Sequence, residues 1–269
     1  MTTAGGSAAD TGLAPAYAAV RTRLGLVVAL LVVATLGWIW TVHEMRGMDA
    51  GPWTSLGSLG WFLGVWVVMM AAMMFPSVAP TVALYTKITR PTSPASSWLF
   101  VGGYLLTWAA AGLVAYLVGS VATAIFGSRL GWSEAGHVLA GVTLLVAAAY
   151  EVTPLKNVCL AKCRSPLGSL LGSWRGGRRG ALQMGVRNGA WCVGCCWALM
   201  ASLFALGVMS VAWMAFVAAL IAVEKLIPWV RVATWGTAAI LLVVALTIVV
   251  APHALPGLTI PHHSLQMGM

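Results

Sequence analysis

The sequence has very little charge. Only 8% of its 269 residues are Asp, Glu, Lys or Arg, whereas soluble domains carry about 25%. Because a soluble domain cannot cover its surface with so few charges, this composition excludes a soluble globular enzyme. A disordered chain is excluded as well, since 60% of the residues are hydrophobic and the mean hydropathy is +0.91. We therefore predict a polytopic membrane protein.

Several common functional signatures are also missing. The sequence contains no phosphate-binding loop, no dinucleotide-binding glycine motif, no HExxH zinc motif and no serine nucleophile elbow. An ATP-driven or hydrolytic mechanism therefore has no support. The net charge of +9 does not indicate nucleic acid, because there is no basic soluble domain with interleaved aromatic residues to bind it. We expect no nucleic-acid partner.

The apolar runs predict an all-α fold, a polytopic transmembrane helical bundle of about seven spans. These spans are 24–42, 59–75, 98–118, 136–152, 189–208, 211–227 and 232–250. In the second, helical character can resume over 81–87 after Pro76 and Pro80. The predicted organisation is a mobile tail at 1–20, a single transmembrane domain at 21–251 with a basic cytoplasmic loop at 153–187, and a C-terminal tail at 252–269.

The distribution of positive charge supports this topology. With the N-terminus in the cytoplasm, 13 of the 15 Lys and Arg residues lie on the cytoplasmic side, leaving only Arg46 and Arg129 outside. A missed span would invert every later loop and destroy this asymmetry. We therefore predict a cytoplasmic N-terminus and an external C-terminus, in the lipid bilayer of a bacterial cytoplasmic membrane.

The five cysteines are confined to one part of the chain, near the predicted cytoplasmic face. Three of them have spacings of three and four residues, which place them on one face of the fifth span; they are Cys192, Cys195 and Cys196. The other two, Cys159 and Cys163, are also four residues apart and follow the fourth span. Two groups of thiols from neighbouring spans can therefore converge.

Converging thiols favour a soft metal ion. Thiolates bind copper(I), zinc or an iron–sulfur cluster, and nearby basic residues favour the thiolate form. Two alternatives remain open at this stage. The thiols can carry out redox chemistry, or they can simply pack, since a free cysteine behaves as a small hydrophobic residue.

Methionines provide a second set of soft ligands. The second span contains two pairs of thioethers four residues apart, Met69 with Met73 and Met70 with Met74. Met200 lies four residues after Cys196 on the same helical stripe. Thioethers are ligands for copper(I), which tilts the expected metal from zinc toward copper(I). The candidate metal ligands are thus Cys159, Cys163, Cys192, Cys195, Cys196, Met73, Met74 and Met200.

Other polar residues are weaker candidates. His and Met residues on the predicted outer side can serve as entry or exit ligands, namely His43, Met45, Met48, His253, His262, His263, Met267 and Met269. Buried charges in membranes are usually paired. We expect Glu224 to pair locally with Lys225 or Arg231, and Glu151 to pair with Lys156 or Arg187.

Three segments resemble an uncharacterised bacterial family described as predicted metal-binding integral membrane proteins. They are 69–80 (MMAAMMFPSVAP), 150–168 (YEVTPLKNVCLAKCRSPLG) and 184–200 (MGVRNGAWCVGCCWALM), followed by Glu224-Lys225. The resemblance covers about residues 60–231 and implies metal binding without naming a reaction. The family often has His where this chain has Asn188.

The sequence therefore predicts a membrane protein that binds a soft transition metal for handling, delivery or transport. Copper(I) is the expected metal and zinc the alternative. A metallochaperone or another membrane protein would be its partner. The competing interpretations are a membrane thiol-disulfide oxidoreductase and a non-catalytic assembly partner of a membrane complex.

Overall fold

A computed structural model describes residues 24–45, 57–89, 95–126, 136–165, 168, 170, 172, 174–206 and 210–251. These residues contain eight helices and no β-strand, which confirms the all-α prediction. The helices are α1 (Leu24–Glu44), α2 (Leu59–Ile88), α3 (Ala95–Phe126), α4 (His137–Glu151), α5 (Pro154–Arg164), α6 (Gly177–Leu206), α7 (Val211–Leu226) and α8 (Val230–Val250).

Each of the seven predicted spans overlaps one of these helices, but the helices differ in length and polarity. Within the described part of the chain, four are long and apolar enough to cross a membrane, namely α1, α2, α3 and α8. The pair α4 and α5, bent by 67°, would make a fifth if it is one span. By contrast, α7 has only 16 residues, and α6 begins with a basic first turn. The count of seven and the orientation of the termini remain predictions.

The bend between α4 and α5 has a local cause. Thr153 takes an extended conformation, and its hydroxyl accepts a hydrogen bond from the Lys156 amide at 3.3 Å. Pro154 then occupies the start of α5, where its missing N–H costs nothing. The predicted basic loop at 153–187 therefore contains a capped helix as well as the first turns of α6, which starts at Gly177 with a positive φ of 78°.

Helix α2 is longer than the predicted second span. It continues without a break through Pro76 and Pro80 to Ile88, although each proline removes one backbone hydrogen bond. Packing supports this irregular stretch, since α2 contacts α1, α3 and α7. The region from Met69 to Phe75 is entirely buried as a result.

Helices α3 and α6 form the most extensive helix pair of the described chain. A methyl group added at Gly103 would overlap the carbonyl oxygen of Leu182, and one at Gly185 would overlap that of Phe100. A methyl group added at Gly189 would lie 2.8 Å from the Thr107 side chain. Small residues let two helix backbones approach in this way. The close contact brings Tyr104 of α3 beside the cysteines of α6.

Candidate metal centre

The three cysteines of α6 form a compact cluster. The sulfur atoms of Cys192, Cys195 and Cys196 lie within 4.8 Å of one another, and the Cys195 and Cys196 sulfurs are 3.3 Å apart. All three residues are buried. Because α6 is regular here, spacings of three and four residues keep these side chains on one side of the helix, as the sequence predicted.

A fourth thiol reaches this cluster from α5. The sulfur of Cys163 lies 3.6 Å from that of Cys195. The bend before Pro154 lets α5 pack against α6 and α7, and this carries Cys163 to the cluster. All five cysteines are free thiols.

A thioether completes the sulfur set. Met74 of α2 is fully buried, and its Sδ atom lies 4.0 Å from Cys192 Sγ, which points toward it. The sulfur atoms thus come from three helices, α2, α5 and α6. We call Cys163, Cys192, Cys195, Cys196 and Met74 the sulfur cluster.

The other three candidate ligands are Cys159, Met73 and Met200. Cys159 packs on α6, where a methyl group added at Gly194 would lie 2.9 Å from its sulfur. Within the described residues it makes no hydrogen bond to another thiol, and neither Met73 nor Met200 accepts one. Both methionines are buried in the hydrophobic core. Of the outer His and Met candidates, Met48 and those at 253–269 lie outside the described residues.

Lys225 is the main feature that the sequence analysis missed. Its Nζ atom lies 3.1 Å from Cys192 Sγ, 3.3 Å from Ser77 Oγ and 3.7 Å from Met74 Sδ. The predicted pairing of Lys225 with Glu224, its neighbour in sequence, is not formed. On a helix, however, adjacent side chains point about 100° apart, so Glu224 and Lys225 serve different sites.

Glu224 belongs to a buried ion group with Glu151 and Lys156. Lys156 Nζ lies 2.7 Å from Glu224 Oε2 and also binds Glu151, and the three side chains are at most 2% exposed. The pairing of Glu151 with Lys156 is as predicted, whereas the local pairing of Glu224 is wrong. The Arg164 guanidinium also donates to the Glu224 carbonyl oxygen at 2.5 Å. The group thereby ties α4 and α5 to α7.

A small cavity adjoins the sulfur cluster. It has a volume of about 20 Å³ and is lined by Ser77, Val78, Thr81, Tyr104, Cys163, Asn188, Cys192 and Lys225. This is room for about one water-sized particle. The Tyr104 hydroxyl lies 3.1 Å from Cys192 Sγ, so polar groups and two of the thiols face the same small space.

The family model described as PpoB2, copper chaperone, matches residues 63–248. This is about two thirds of the chain and includes every residue of the sulfur cluster. The chain belongs to the PpoB2 copper chaperone family. The expectation of a metal-binding family is thus confirmed, and copper handling is the function it indicates. No similar protein was found among curated proteins or among solved structures.

The sulfur cluster suits the cargo of a copper chaperone. Four sulfurs arranged tetrahedrally at about 2.3 Å from a metal lie about 3.8 Å apart. The Cys195 sulfur lies 3.3 Å from that of Cys196 and 3.6 Å from that of Cys163, near this spacing, and the Cys192, Cys195 and Cys196 sulfurs all lie within 4.8 Å of one another. Thiolate and thioether are the soft donors that copper(I) prefers. The three cysteines of α6 therefore fit a soft metal ion.

Proposed function

We propose that this protein is an integral membrane copper chaperone that binds copper(I) at the sulfur cluster and passes it to a partner protein. The observation that carries the proposal is the meeting of three buried thiols, one half-buried thiol and one thioether from α2, α5 and α6. Membership in the copper chaperone family supports copper as the cargo.

Cys192, Cys195 and Cys196 are the primary ligands in this proposal. Cys163 and Met74 supply further donors, because each makes a direct sulfur contact with the triad. Cys159, Met73 and Met200 take supporting positions, where they pack the cluster or receive copper during transfer. Zinc is the alternative metal, since four thiolates also suit its tetrahedral geometry.

Transfer requires that the metal reach a partner. The small cavity beside Cys163 and Cys192 is a polar opening to the cluster next to Lys225, and we call it the mouth. A metallochaperone or another membrane protein that offers thiols at this mouth can exchange copper(I) from sulfur to sulfur without releasing it. We place both the mouth and the cluster at the cytoplasmic ends of the helices.

Membrane insertion is supported by the exposed faces of the helices. Large aliphatic side chains point outward along α1, α3 and α8, and examples are Ile39 at 61%, Val118 at 63% and Val243 at 62% exposure. Such continuous apolar faces require lipid or protein cover. In our proposal seven helices cross the bacterial cytoplasmic membrane, with residues 21–251 as one domain, the tail 1–20 inside and the tail 252–269 outside.

Metal analysis of the purified chain tests the binding site. Protein from cells grown with added copper should carry about one copper per chain. A variant in which Cys192, Cys195 and Cys196 are all replaced by Ser should carry almost none, whereas Cys159→Ser serves as a matched control and should stay loaded. Full loading of the triple variant would contradict the proposal, and zinc in place of copper would identify the alternative metal.

Reporter fusions test the topology. A fluorescent protein that folds only inside the cell should be active at the N-terminus, and a phosphatase that needs the oxidising exterior should be active at the C-terminus. Matching reporters at the two ends would indicate an even number of spans and contradict the proposed seven.

The thiol oxidoreductase hypothesis keeps one specific observation in its favour, the short distance between the Cys163 and Cys195 sulfurs. Rapid alkylation of cellular protein separates the two functions. A disulfide that appears and disappears with growth conditions favours redox chemistry. Thiols that stay reduced, and that copper protects from the reagent, favour the chaperone.

A further inference from the structure

The Lys225 ammonium is held firmly against the sulfur cluster. An ammonium has three N–H donors and no acceptor, and Lys225 has three acceptors within reach: Cys192 Sγ, Ser77 Oγ and Met74 Sδ. Two of these acceptors are sulfur atoms proposed to bind the metal. A positive charge is therefore in direct contact with the proposed metal-binding sulfur atoms.

The neighbouring basic side chains of Lys156 and Arg164 bind other groups. Lys156 binds two carboxylates, and Arg164 donates to the backbone oxygen of Glu224. Among the described residues, Lys225 is the cation that contacts the sulfur cluster. Its charge is fixed in position, because the Lys225 side chain extends from α7 and its ammonium contacts Ser77 and Met74 of α2.

A fixed positive charge opposes a divalent ion more than a monovalent one. Coulomb repulsion is proportional to the charge of the incoming ion, so Zn²⁺ meets twice the repulsion that copper(I) meets at the same position. When a monovalent ion is bound, the Lys225 ammonium and the metal ion together place two positive charges beside the thiolates. A divalent ion without Lys225 would place the same two charges there. The ammonium therefore supplies the positive charge that the monovalent ion lacks.

On these grounds we infer that Lys225 is a specificity-determining residue that makes the sulfur cluster prefer a monovalent soft metal ion over a divalent one. This inference rests on the proposed function, because it assumes that the cluster binds a metal. It goes beyond family membership, which names copper without indicating how a thiol site rejects zinc.

Two pairs of metal ions isolate the effect of charge. Copper(I) and zinc(II) share a filled d shell, as do silver(I) and cadmium(II), so neither pair differs in d-electron geometry. Within each pair the charge changes from one to two. The affinity ratio within a pair also removes any effect of a variant that both ions share equally, such as a change in the packing around the cluster.

The experiment is competitive metal titration of the purified full-length chain in detergent. Lys225→Met removes the charge at similar volume, Lys225→Gln removes it while keeping a hydrogen-bond donor, and Lys225→Arg keeps it. Lys162→Met is the matched control, because Lys162 is an exposed lysine of α5. Chelators of known affinity report the association constants for Cu(I), Zn(II), Ag(I) and Cd(II).

Both neutral variants should lower the Cu(I)-to-Zn(II) and Ag(I)-to-Cd(II) ratios by about 10- to 100-fold, as expected for a unit charge a few ångströms away at intermediate dielectric. Lys225→Arg and Lys162→Met should keep the wild-type ratios. Unchanged ratios in a folded neutral variant would overturn the inference. Size-exclusion chromatography identifies folded protein. If Lys225→Met misfolds, the ratios of Lys225→Gln test the inference.

The two possible failures are distinguishable. If the triple Cys variant loses its copper while the neutral Lys225 variants keep the wild-type ratios, the copper site stands and the role of Lys225 is rejected. If the wild-type chain and the triple Cys variant bind copper equally, the proposed function itself is rejected.

Discussion

The sulfur atoms of Cys163 and Cys195 lie 3.6 Å apart, although 32 residues separate them in sequence. The contact depends on the 67° bend between α4 and α5, because a straight continuation of α4 would carry Cys163 away from α6. A turn of chain set by Thr153 and Pro154 thus decides whether the α6 triad has a fourth thiol.

Replacement of Cys163 by Ser tests that contact. We expect the copper(I) affinity to fall by at least about tenfold, the range seen even when residues outside the direct ligand set of a metal are removed. Cys159→Ser makes the same chemical change on the same helix and should alter the affinity little. Equal losses in the two variants would contradict the arrangement described here. Chelator competition gives both numbers.

Two adjacent methionines are expected to differ. Met74→Leu removes the thioether that contacts Cys192 and should weaken copper(I) binding by about tenfold, while Met73→Leu should have little effect. Leu has a similar volume, so packing is preserved in both. The comparison is informative because both residues are candidate ligands. A larger effect at Met73 would show that copper lies nearer to Met73 than to Met74.

Removing one member of the buried ion group should strongly destabilise the protein. Lys156→Met leaves Glu151 and Glu224 without their cation, and removal of one partner from a buried ion pair costs about 3–5 kcal/mol of unfolding free energy. Adding Glu151→Gln and Glu224→Gln to this variant should recover much of the loss, because no buried charge is then left uncompensated. Denaturant unfolding in detergent measures each value.

If the triple neutral variant is as unstable as Lys156→Met alone, the loss comes from packing and not from unpaired charge. Copper loading of the stable triple variant gives an additional measurement. We expect weaker loading, because α5 would then be less firmly tied to α7 and Cys163 less firmly placed.

The close contact between α3 and α6 predicts a difference between two glycines. Gly185→Ala introduces a methyl group that overlaps the Phe100 carbonyl and should cost about 1–3 kcal/mol. Gly102→Ala on α3 meets no atom within 4 Å, and alanine's higher helix propensity should make it neutral or stabilising. Thermal unfolding with size-exclusion chromatography would show both; a harmless Gly185→Ala would contradict the close approach.

Much of the fold follows from local properties of the chain. Apolar runs locate the helices, since a helix satisfies its own backbone hydrogen bonds whatever surrounds it. The ends were less predictable: α2 continues past Pro76, and α5 lies within a segment predicted as a loop. Tertiary packing stabilises the continuation of α2, whose prolines weaken its own hydrogen bonding, whereas α5 starts at a local cap formed by Thr153 and Pro154.

The candidate site, too, was predictable from the sequence only in part. Spacings of three and four residues were sufficient to group Cys192, Cys195 and Cys196, because helical geometry is fixed. They were not sufficient to separate Cys163 from Cys159, or Met74 from Met73. Met73 and Met74 point about 100° apart, so the rotation of α2 about its axis decides which one meets Cys192. Cys159 and Cys163 lie one turn apart on the same face of α5, so the position of α5 along α6 decides which one meets Cys195.

By itself, then, the sequence determined that the chain is helical, apolar and rich in soft ligands over a short region, since composition and helical periodicity are local. Only the tertiary structure decided that Lys225 faces sulfur and Glu224 faces Lys156. These neighbours in sequence are separated by about 100° of helical rotation. The partners they meet come from α2, α5 and α6, whose positions no local pattern specifies.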